Sequence, residues 1–407
     1  MLFLKTFCSL SLKLLSLYTL LIACFSLCKQ KKQKTHAPKH SFSVVIAARN
    51  EAAVIGQLID SLKAQDYPAS LFQIYVVPNN CTDETAAVAL AHGAEILCPS
   101  RPVRNKGEAL QDAFGLLLNL PTKADAYAVF DADNIVHPAF LREMNHALCN
   151  GALVAKGRNM VKNPYDTWVS GCYSLYFSTC DRFYNHPRAY LNLSAKLNGT
   201  GFVVQRTLLE EMGGWPATGI AEDSEFASHC AAHGAQVAWV PAAISYDEAP
   251  LHFKETLTQR MRWVSGIMQV ATSRVPILLK NVSRKKSFLQ WDMILFLLNG
   301  FVQIFSTLWS AFSFLSNPIP AQLFASLLST GLVSYLGLLG FSFFTAYLEK
   351  IYDRRLLKSI FLYPLFTLSW LPLQIYSLFQ KTTIWKPMVH QKAYSLQQIQ
   401  LSSKSNE

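Results

Sequence analysis

Three features of this sequence can do chemistry: two separate pairs of carboxylates and one basic, aromatic segment. Asp131 and Asp133 end a short apolar run, Tyr127–Asn134, which reads Y-A-V-F-D-A-D-N. Carboxylate oxygens at the end of a buried strand suit Mg²⁺ or Mn²⁺. A metal ion held there would neutralise a diphosphate and help it to leave, which is a Lewis-acid role. The D-x-D pattern alone is weak, because it also occurs by chance and often only caps a turn.

The second carboxylate pair, Glu222-Asp223, stands at the predicted start of a helix. Acidic residues at that position stabilise a helix through its dipole, and this structural interpretation carries as much weight as a functional one. In the functional interpretation, a carboxylate that is not committed to a metal accepts the proton of an attacking hydroxyl group, which is general-base catalysis.

The third candidate segment is Gln259–Trp263, which reads Q-R-M-R-W. Gln259, Arg262 and Trp263 stand at positions i, i+3 and i+4, so they share one face of a helix. An amide, a guanidinium and an indole together can bind a diphosphate and stack on a sugar ring. The alternative is an interfacial helix with Arg and Trp at the level of the lipid headgroups, and one helix can serve both purposes.

The elements that must position these groups alternate between strands and helices. Apolar runs predict strands, and helical periodicity or composition predicts helices, with Thr82 as the N-cap of the second. The strands are expected at 43–48, 72–77, 95–98 and 127–130, and the helices at 52–65, 83–92 and 106–118. This order predicts an α/β fold whose parallel strands carry ligands at their carboxyl ends. Arg49–Glu51, Pro78–Asp83 and Asp131–Asp133 all fall at such ends.

The second half of the chain is less regular. No element is predicted between Asn134 and Asn192, where periodicity is weak. Beyond it we expect a glycine-rich turn that enters a strand at Asn198–Val204, followed by a helix to Met212. The remaining elements are a helix at 220–232, a strand at 236–240 and a long helix from Phe253 to about Leu279.

Composition places part of the chain in a membrane. Of the 407 residues, 51% are hydrophobic and only 15% are charged, and the mean hydropathy is +0.19. The net charge of +11 does not indicate nucleic-acid binding, because its basic clusters, 29–39 and 284–286, flank apolar segments in the positive-inside manner. The nine cysteines include no C-x-x-C pair, which argues against a disulfide framework or a zinc site.

The apolar segments divide the chain into five parts. We expect an anchor at 1–28, a basic linker at 29–40 and an α/β domain at 41–270. An interfacial helix at 253–283 includes the end of this domain. An apolar region at 288–380 and a polar tail at 381–407 complete the chain. A cleaved signal peptide is the alternative for 1–28, but the lysines that follow favour retention. The apolar region holds spans at 288–315 and 322–348. Its last segment, 359–380, is interrupted by Pro364 and Pro372, and it either spans the membrane or lies in the interface.

Eight motifs in order resemble the family 2 (GT2) membrane glycosyltransferases, the group that includes the cellulose, hyaluronan, chitin-oligosaccharide and poly-N-acetylglucosamine synthases. They are V-V-I-A-A-R-N-E (44–51), N-N-C-T-D-E-T-A (79–86), N-K-G-E-A-L (105–110), F-D-A-D-N (130–134), L-N-G-T-G (197–201), G-G-W (213–215), A-E-D (221–223) and Q-R-M-R-W (259–263). The resemblance implies a GT-A fold and the use of a UDP-sugar with inversion at the anomeric carbon.

The resemblance also implies roles for individual residues. Asp133 would hold the metal, Asp131 would contact the nucleotide-sugar and Asp223 would be the catalytic base. The diphosphate and the acceptor would meet Glu222, Gln259, Arg262 and Trp263, and the nucleotide would be surrounded by Ala47, Glu51, Asn79 and Lys106. The chain departs from the family at Asn79, where an aspartate usually contacts the uracil, and at Ala221, where threonine is common.

These features predict a membrane-bound transferase that moves a sugar from a UDP-sugar to a polysaccharide or another glycan, in a processive manner if the acceptor is long. One alternative is the transfer of a single sugar to a lipid. An alternative of another class is a non-catalytic subunit that binds a nucleotide-sugar within a synthase complex or a homo-oligomer. We expect a multi-pass protein of the cell membrane whose α/β domain is cytosolic. No residue decides which sugar is transferred.

Overall fold

The computed structural model describes residues 2–30, 33–285, 287–315, 320–380, 394 and 396–399. Eight strands form one mixed sheet: β1 (Phe42–Ala48), β2 (Phe72–Pro78), β3 (Glu95–Ile96), β4 (Ala126–Asp131), β5 (Ile135–Val136), β6 (Val154–Val161), β7 (Phe202–Gln205) and β8 (Val237–Asp247). Their order across the sheet is β3-β2-β1-β4-β7-β6-β8-β5.

The helices of the α/β domain lie between these strands. They are α2 (Ile55–Lys63), α3 (Thr85–Ala91), α4 (Lys106–Leu117), α5 (Phe140–Cys149), α6 (Trp168–Cys180), α7 (His186–Tyr190), α8 (Arg206–Glu211) and α9 (Glu222–His233). The chain ends are helical as well, with α1 (Leu2–Cys24) before the sheet and α10 (Phe253–Lys285), α11 (Phe288–Leu315), α12 (Pro320–Leu348), α13 (Leu357–Leu368) and α14 (Trp370–Phe379) after it.

Strand β4 lies in the middle of the sheet and is buried on both faces. Alternate side chains of a strand point to opposite faces, and Val129 and Phe130 accordingly enter two different hydrophobic clusters. The first cluster is completed by α4, α9, α10 and α11, and the second by α2, α3 and α5. The sheet is thus the middle layer of three, and the carboxyl end of β4 carries Asp131.

The parallel half of the sheet agrees with the sequence prediction. Strand β1 pairs in parallel with both β2 and β4, and β2 with β3. Beyond β4 the direction changes, since β7 is antiparallel to β4 and to β6, and β5 is antiparallel to β8. The predicted α/β domain with terminal apolar helices is confirmed, and its sheet is mixed.

Two local predictions need correction. Helix α2 begins at Ile55 and not at Ala52, because the backbone N–H groups of Val54 and Ile55 both bond to the carbonyl of Glu51 in a turn. Thr82 does not cap α3. Its backbone N–H donates to Asn50 Oδ1 at 2.8 Å, while Asp83 Oδ1 accepts from the backbone N–H of Thr85 at 3.1 Å, where the helix begins.

The stretch without predicted elements, 135–192, contains β5, α5, β6, α6 and α7, and a π-helical turn at Asp181–Asn185. Strand β6 resembles no buried strand in sequence, since it includes Lys156, Arg158 and Asn159. In the structure Lys156 donates to Asn159 of the same strand, whereas Arg158 and Asn159 donate to Glu349 and Asp247 from distant parts of the chain. Strand β8 is also longer than predicted, because its second half pairs with β6 from Arg158 onward.

Four segments are long and apolar enough to cross a membrane by length and composition: Leu10–Leu27, Phe288–Trp309, Leu328–Leu348 and Arg354–Phe379. The last is not one straight helix, because α13 and α14 are separated by Ser369. Most of the predicted polar tail, 381–407, and Lys31 and Lys32 of the linker lie outside the described residues.

Candidate active site

The carboxyl ends of β1 and β4 bring the first predicted groups together. The register of the two strands places Ala47 beside Asp131. The turn that follows Asp131 is fixed by Thr200, whose hydroxyl accepts from the backbone N–H of Asp131 at 3.0 Å. Asn134 then donates to Asp247 Oδ1 at 3.0 Å and ties this turn to the end of β8. The D-x-D segment is therefore held from three parts of the chain.

Carboxylates crowd this edge of the sheet. Asp247 lies near Asp131 and Asp133, and burial together with their negative charges raises the pKa of Asp247 well above its ordinary value. Asp133 Oδ2 accepts from the backbone N–H of Glu248 at 3.3 Å. Such crowding is relieved by a cation, and the oxygen donors present fit Mg²⁺ or Mn²⁺. In the described part of the chain no three His, Cys, Asp or Glu side chains form a complete metal-ligand cluster.

Lys106 supplies positive charge from the first residue of α4. Asn105 caps this helix through its side-chain oxygen, which accepts from the backbone N–H of Glu108 at 2.9 Å. The Lys106 ammonium forms an ion pair with Asp131, lies 3.5 Å from Glu222 Oε1 and donates to the carbonyl of Gly199 at 2.5 Å. Burial alone would lower the pKa of Lys106, but the two carboxylates raise it and keep the group charged.

The second carboxylate pair begins α9, as predicted, and faces the same space. Burial raises the pKa of Glu222 to about 7 against the attraction of Lys106. Burial also raises the pKa of Asp223, whose carboxylate accepts from the backbone N–H of Ser224 at 2.7 Å. A carboxylate with a raised pKa is a stronger base than an ordinary one, so Asp223 has the chemistry that proton abstraction needs.

The Gln259–Trp263 segment lies in the first half of α10 and presents Gln259, Arg262 and Trp263 to the cavity, as their spacing predicts. Tyr173 of α6 donates its hydroxyl to Gln259 Oε1 at 2.6 Å. The Trp263 ring is nearly parallel to the ring of Tyr176, at a centroid distance of 6.4 Å. Helix α6, which sequence analysis missed, therefore supports this face of α10.

One cavity is lined by all eleven residues that the sequence singled out. They are Ala47, Glu51, Asn79, Lys106, Asp131, Asp133, Glu222, Asp223, Gln259, Arg262 and Trp263. Asn79 is almost fully buried, and its side-chain oxygen accepts from Asn80 Nδ2 at 3.2 Å. Glu51 donates its backbone N–H to Thr85 Oγ1 at 2.8 Å. The cavity thus extends from the sheet edge at Ala47 to helix α10.

Sequence analysis missed several residues that line the same cavity. Two of them, Tyr173 and Tyr176, come from the region without predicted elements, and Asp247 lies at the end of β8, which was predicted too short. Lys196 lies in the loop before β7, and Trp370 begins α14. No local pattern marks them, because an aromatic residue within an apolar helix is ordinary in a membrane segment. Only the packing of α14 against α10 brings Trp370 to the cavity.

The family model for "Glycosyltransferase like family 2" matches residues 38–266, which include every residue that lines the cavity except Ile267 and Trp370. This chain belongs to glycosyltransferase family 2. It is accordingly an enzyme that transfers sugars, and the expectation of a glycosyltransferase is confirmed. The non-catalytic alternative is not retained.

This chain is similar to three named relatives, which differ in sequence identity and in the share of each protein that the match covers. It is 27% identical over 86% of its length to a probable glycosyltransferase, YdaM, of Bacillus subtilis, covering 84% of that protein. It is 28% identical over 64% of its length to a β-monoglucosyldiacylglycerol synthase of Nostoc, and spans about half (55%) of that protein. With a cellulose synthase catalytic subunit of Xanthomonas axonopodis it shares 23% identity over 58% of its length, covering 33% of that subunit.

A solved structure confirms the fold. The glycosyltransferase chain superposes on a mannosyltransferase from Pyrobaculum calidifontis, solved with GDP-Man and Mn²⁺, with a TM-score of 0.60 and 18% sequence identity. The match covers 89% of this chain and 92% of the mannosyltransferase chain. At this identity the likeness shows the fold alone.

Proposed function

We propose that the protein transfers a sugar from a UDP-sugar, with inversion at the anomeric carbon, to a hydroxyl group of a glycan acceptor at the membrane surface. The observation that carries this proposal is the position of Asp223. A buried carboxylate with a raised pKa lines the same cavity as the carboxylate cluster at one end and the Gln259–Trp263 helix at the other. This is the arrangement that an attack by a hydroxyl group on a bound sugar diphosphate needs.

At the diphosphate end, Asp133 would hold a divalent metal ion, and Asp131 would contact the nucleotide-sugar. Mg²⁺ and Mn²⁺ are bound in such sites by one or two carboxylates, with substrate phosphates and water completing the set, which accounts for the small number of protein ligands. The ion supplies charge neutralisation for the departing diphosphate. The mannosyltransferase with the same fold was solved with Mn²⁺, in agreement with this assignment. Lys106 and Arg262 add positive charge from the protein.

At the reacting end, Asp223 accepts the proton of the acceptor hydroxyl as its oxygen attacks the sugar carbon. Glu222 stays close to Lys106 and adjusts the charge beside the diphosphate. Gln259 and Trp263 line the side on which the acceptor enters. Ala47, Glu51 and Asn79 surround the nucleotide, with Asn79 offering both a donor and an acceptor to the base.

A lipid acceptor is the second candidate, and a specific observation favours it. Trp370, at the start of the apolar helix α14, lines the reaction cavity, so the cavity is built in part by a candidate membrane segment. Relatives of this chain include enzymes named β-monoglucosyldiacylglycerol synthase. In both cases we place the protein in the cell membrane as a multi-pass protein with the α/β domain, residues 41–270, on the cytosolic side.

Incubation of membranes that contain the full-length protein with radiolabelled UDP-sugars and Mn²⁺ tests the proposal. Transfer into a product with release of UDP supports it, and sizing of that product separates the two acceptor classes. A ladder of polymers indicates a glycan acceptor, whereas a single organic-soluble band indicates a lipid. If membranes with the protein transfer no more label from any UDP-sugar than control membranes do, the proposed reaction is wrong.

A further inference from the structure

The loop between β6 and α6 contacts the chain on both sides of its last apolar segment. At the start of that segment, the guanidinium carbon of Arg355 lies 3.7 Å from the centroid of the Tyr165 ring. Beyond its end, Tyr394 donates its hydroxyl to Asp166 Oδ2 at 2.7 Å, and its ring centroid lies 5.6 Å from Lys162 Nζ. Tyr165 and Asp166 are neighbours in the sequence. The chain therefore returns at Tyr394 to the place on the α/β domain that it contacts at Arg355.

The chain between these two contacts is too short to cross a membrane twice. Arg354–Phe379 is long enough for one crossing, but a crossing there requires a second one before Tyr394. Only residues 380–393 remain for it, and they include three lysines and a proline. A membrane-spanning helix needs about 20 mainly apolar residues, and a non-helical segment would leave backbone N–H and C=O groups without partners in the lipid. Arg354–Phe379 therefore begins and ends on the side of the sheet.

The segment also packs along the α/β domain and the helix that follows it. Tyr363 of α13 donates to Thr179 Oγ1 of α6 at 3.4 Å, and Ser377 of α14 donates to Met268 Sδ of α10 at 2.8 Å. Between these contacts the buried Arg260 of α10 holds the break between α13 and α14. The candidate membrane segments in the described residues include neither α6 nor α10. A membrane-spanning helix would leave these two helices behind, whereas α13 and α14 stay beside them.

The opposite face of α13 is apolar and exposed. Leu357, Phe361 and Leu365 are 43 to 55% exposed, and their spacing of four residues places them in one stripe along the helix. We call them the apolar stripe of α13. The exposed side chains of Arg354 and Lys358 lie at its beginning. Basic groups beside an apolar stripe match the boundary between anionic headgroups and acyl chains. Helix α12, a candidate membrane span, packs against α13 and places the stripe next to lipid.

We propose that α13 and α14 form a lipid-binding surface that lies in the headgroup layer on the side of the sheet, and that the C-terminal tail is on this side as well. Among the described segments, α1, α11 and α12 then cross the membrane. The inference goes beyond the proposed function, because it holds for either acceptor and for either orientation of the sheet. It also accounts for Trp370, which lines the reaction cavity although it belongs to an apolar helix.

The side of the tail is tested with full-length chains that carry one cysteine each. The first retains Cys98 of the α/β domain, the second carries Ser402→Cys in the tail, and the third carries Asn317→Cys between α11 and α12. A membrane-impermeant maleimide is applied to intact and to lysed cells. We expect Ser402→Cys to react like Cys98 and opposite to Asn317→Cys. A tail cysteine that reacts like Asn317→Cys shows a fourth crossing and overturns the inference. Labelling of both Cys98 and Ser402→Cys from outside would contradict only the proposed cytosolic orientation.

The contact with lipid is tested by the depth of side chains in vesicles of phosphatidylcholine and phosphatidylglycerol. Single cysteines replace the residues of the apolar stripe of α13 and carry a fluorophore, which lipids with a shallow or a deep spin label quench. The matched control is α12, where Leu328, Leu332 and Leu336 have the same spacing and are exposed. Eight residues of helix rise about 12 Å. Depth should change by about this amount along α12, whereas all three positions of α13 should be shallow.

Two results of the depth measurement overturn the lipid-binding surface. One is an α13 stripe that deepens as steeply as the α12 positions, and the other is an α13 stripe that neither lipid quenches. If the chains with a single cysteine do not fold, antibodies against the tail peptide 400–407 and against α8 (Arg206–Glu211) are applied to the wild-type protein in intact and permeabilised cells. Access to both epitopes in the same preparation supports the inference. Access to only one of them in intact cells overturns it.

Discussion

At the scale of single residues, the cavity separates two carboxylates by their surroundings. Asp131 is paired with the Lys106 ammonium, whereas the described contacts of Asp223 include no ion pair, and burial raises its pKa. The two carboxylates of one site thus have different electrostatic surroundings. Because a general base must be free of the metal and of a fixed cation, Asp223 is better suited to this role than Asp131.

Removal of that base gives the first prediction. We expect Asp223→Asn to lower kcat about 10²- to 10⁴-fold, the range of a general base, while the affinity for UDP changes little. Initial rates of sugar transfer and calorimetric titration with UDP measure the two quantities. Asp60→Asn, at an exposed position of α2, is the control and should behave as wild type. Turnover of Asp223→Asn at the wild-type rate would contradict the mechanism.

The pH dependence gives the second prediction. Since Asp223 acts as a base, kcat should fall as the pH drops through its pKa, and burial places this acidic limb above the ordinary range of aspartate, about 3.9. The positive charge of Lys196 lowers the pKa of Asp223, so Lys196→Met should move the limb to higher pH. Profiles of kcat between pH 4 and pH 9 at saturating substrate measure the shift. A limb that stays in place, or moves to lower pH, would exclude Asp223 as the titrating base.

Site residues could be predicted from the sequence where they belong to a local motif. The eleven residues singled out from the sequence line one cavity, because their motifs stand at the carboxyl ends of strands or on one face of a helix. Asp247 and Lys196 were not predictable. Each is a single charged residue without a motif, and it reaches the cavity only through the long-range pairing of β6 with β8 or the packing of a loop.

At the scale of elements, the strands that were predicted from the sequence differ in polarity from the strand that was missed. Strand β1 is buried and apolar, so its sequence alone indicates a central strand. Strand β6 carries Arg158 and Asn159, and their partners are Glu349 and Asp247, about 190 and 90 residues away. Buried charges that are paired after folding look like surface charges in a sequence. This is why the region between 135 and 192 gave no prediction.

The next prediction concerns Arg260, a buried residue of α10 that donates to the carbonyl of Phe366 and to Ser369 Oγ at the break between α13 and α14. Lysine at this position keeps the charge but loses the planar fork that reaches Phe366 and Ser369 together. Hydrogen bonds to charged groups contribute about 1.5 to 3 kcal/mol each, so Arg260→Lys should weaken the docking of α13 and α14 on α10. We expect a lower Tm, a higher KM for the acceptor and an unchanged affinity for UDP.

Thermal unfolding in nanodiscs and the kinetics of transfer check this expectation for Arg260→Lys. Arg274→Lys, on the same helix, is a useful comparison, since Arg274 donates to Ser228 Oγ of α9 and not, among its described contacts, to the α13–α14 break. Equal effects of the two substitutions on the acceptor KM would show that Arg260 is only a structural residue.

At the scale of the whole molecule, a buried polar junction joins the apolar helices to the sheet. Arg182 donates to the carbonyl of Ser26 at 3.2 Å and to that of Leu348 at 3.0 Å, so one side chain binds the ends of two candidate membrane segments. Its Nε bonds to Glu349, which also accepts from Arg158 of β6. Since all these groups stand at one end of α1 and α12, the sheet must lie on one side of any membrane that these helices cross.

The side of the membrane gives the last prediction. UDP-sugars are proposed as donors, and the lysines after the first segment follow the positive-inside pattern, so the sheet should face the cytosol. Cys98 is exposed on the α/β domain and serves as a probe in a variant that retains it as the sole cysteine. A membrane-impermeant maleimide should leave Cys98 unlabelled in intact cells and label it after lysis. A cysteine introduced at Asn317, between α11 and α12, should show the opposite pattern, because one crossing separates it from the domain. Labelling of Cys98 in intact cells would place the active site outside and exclude a cytosolic donor.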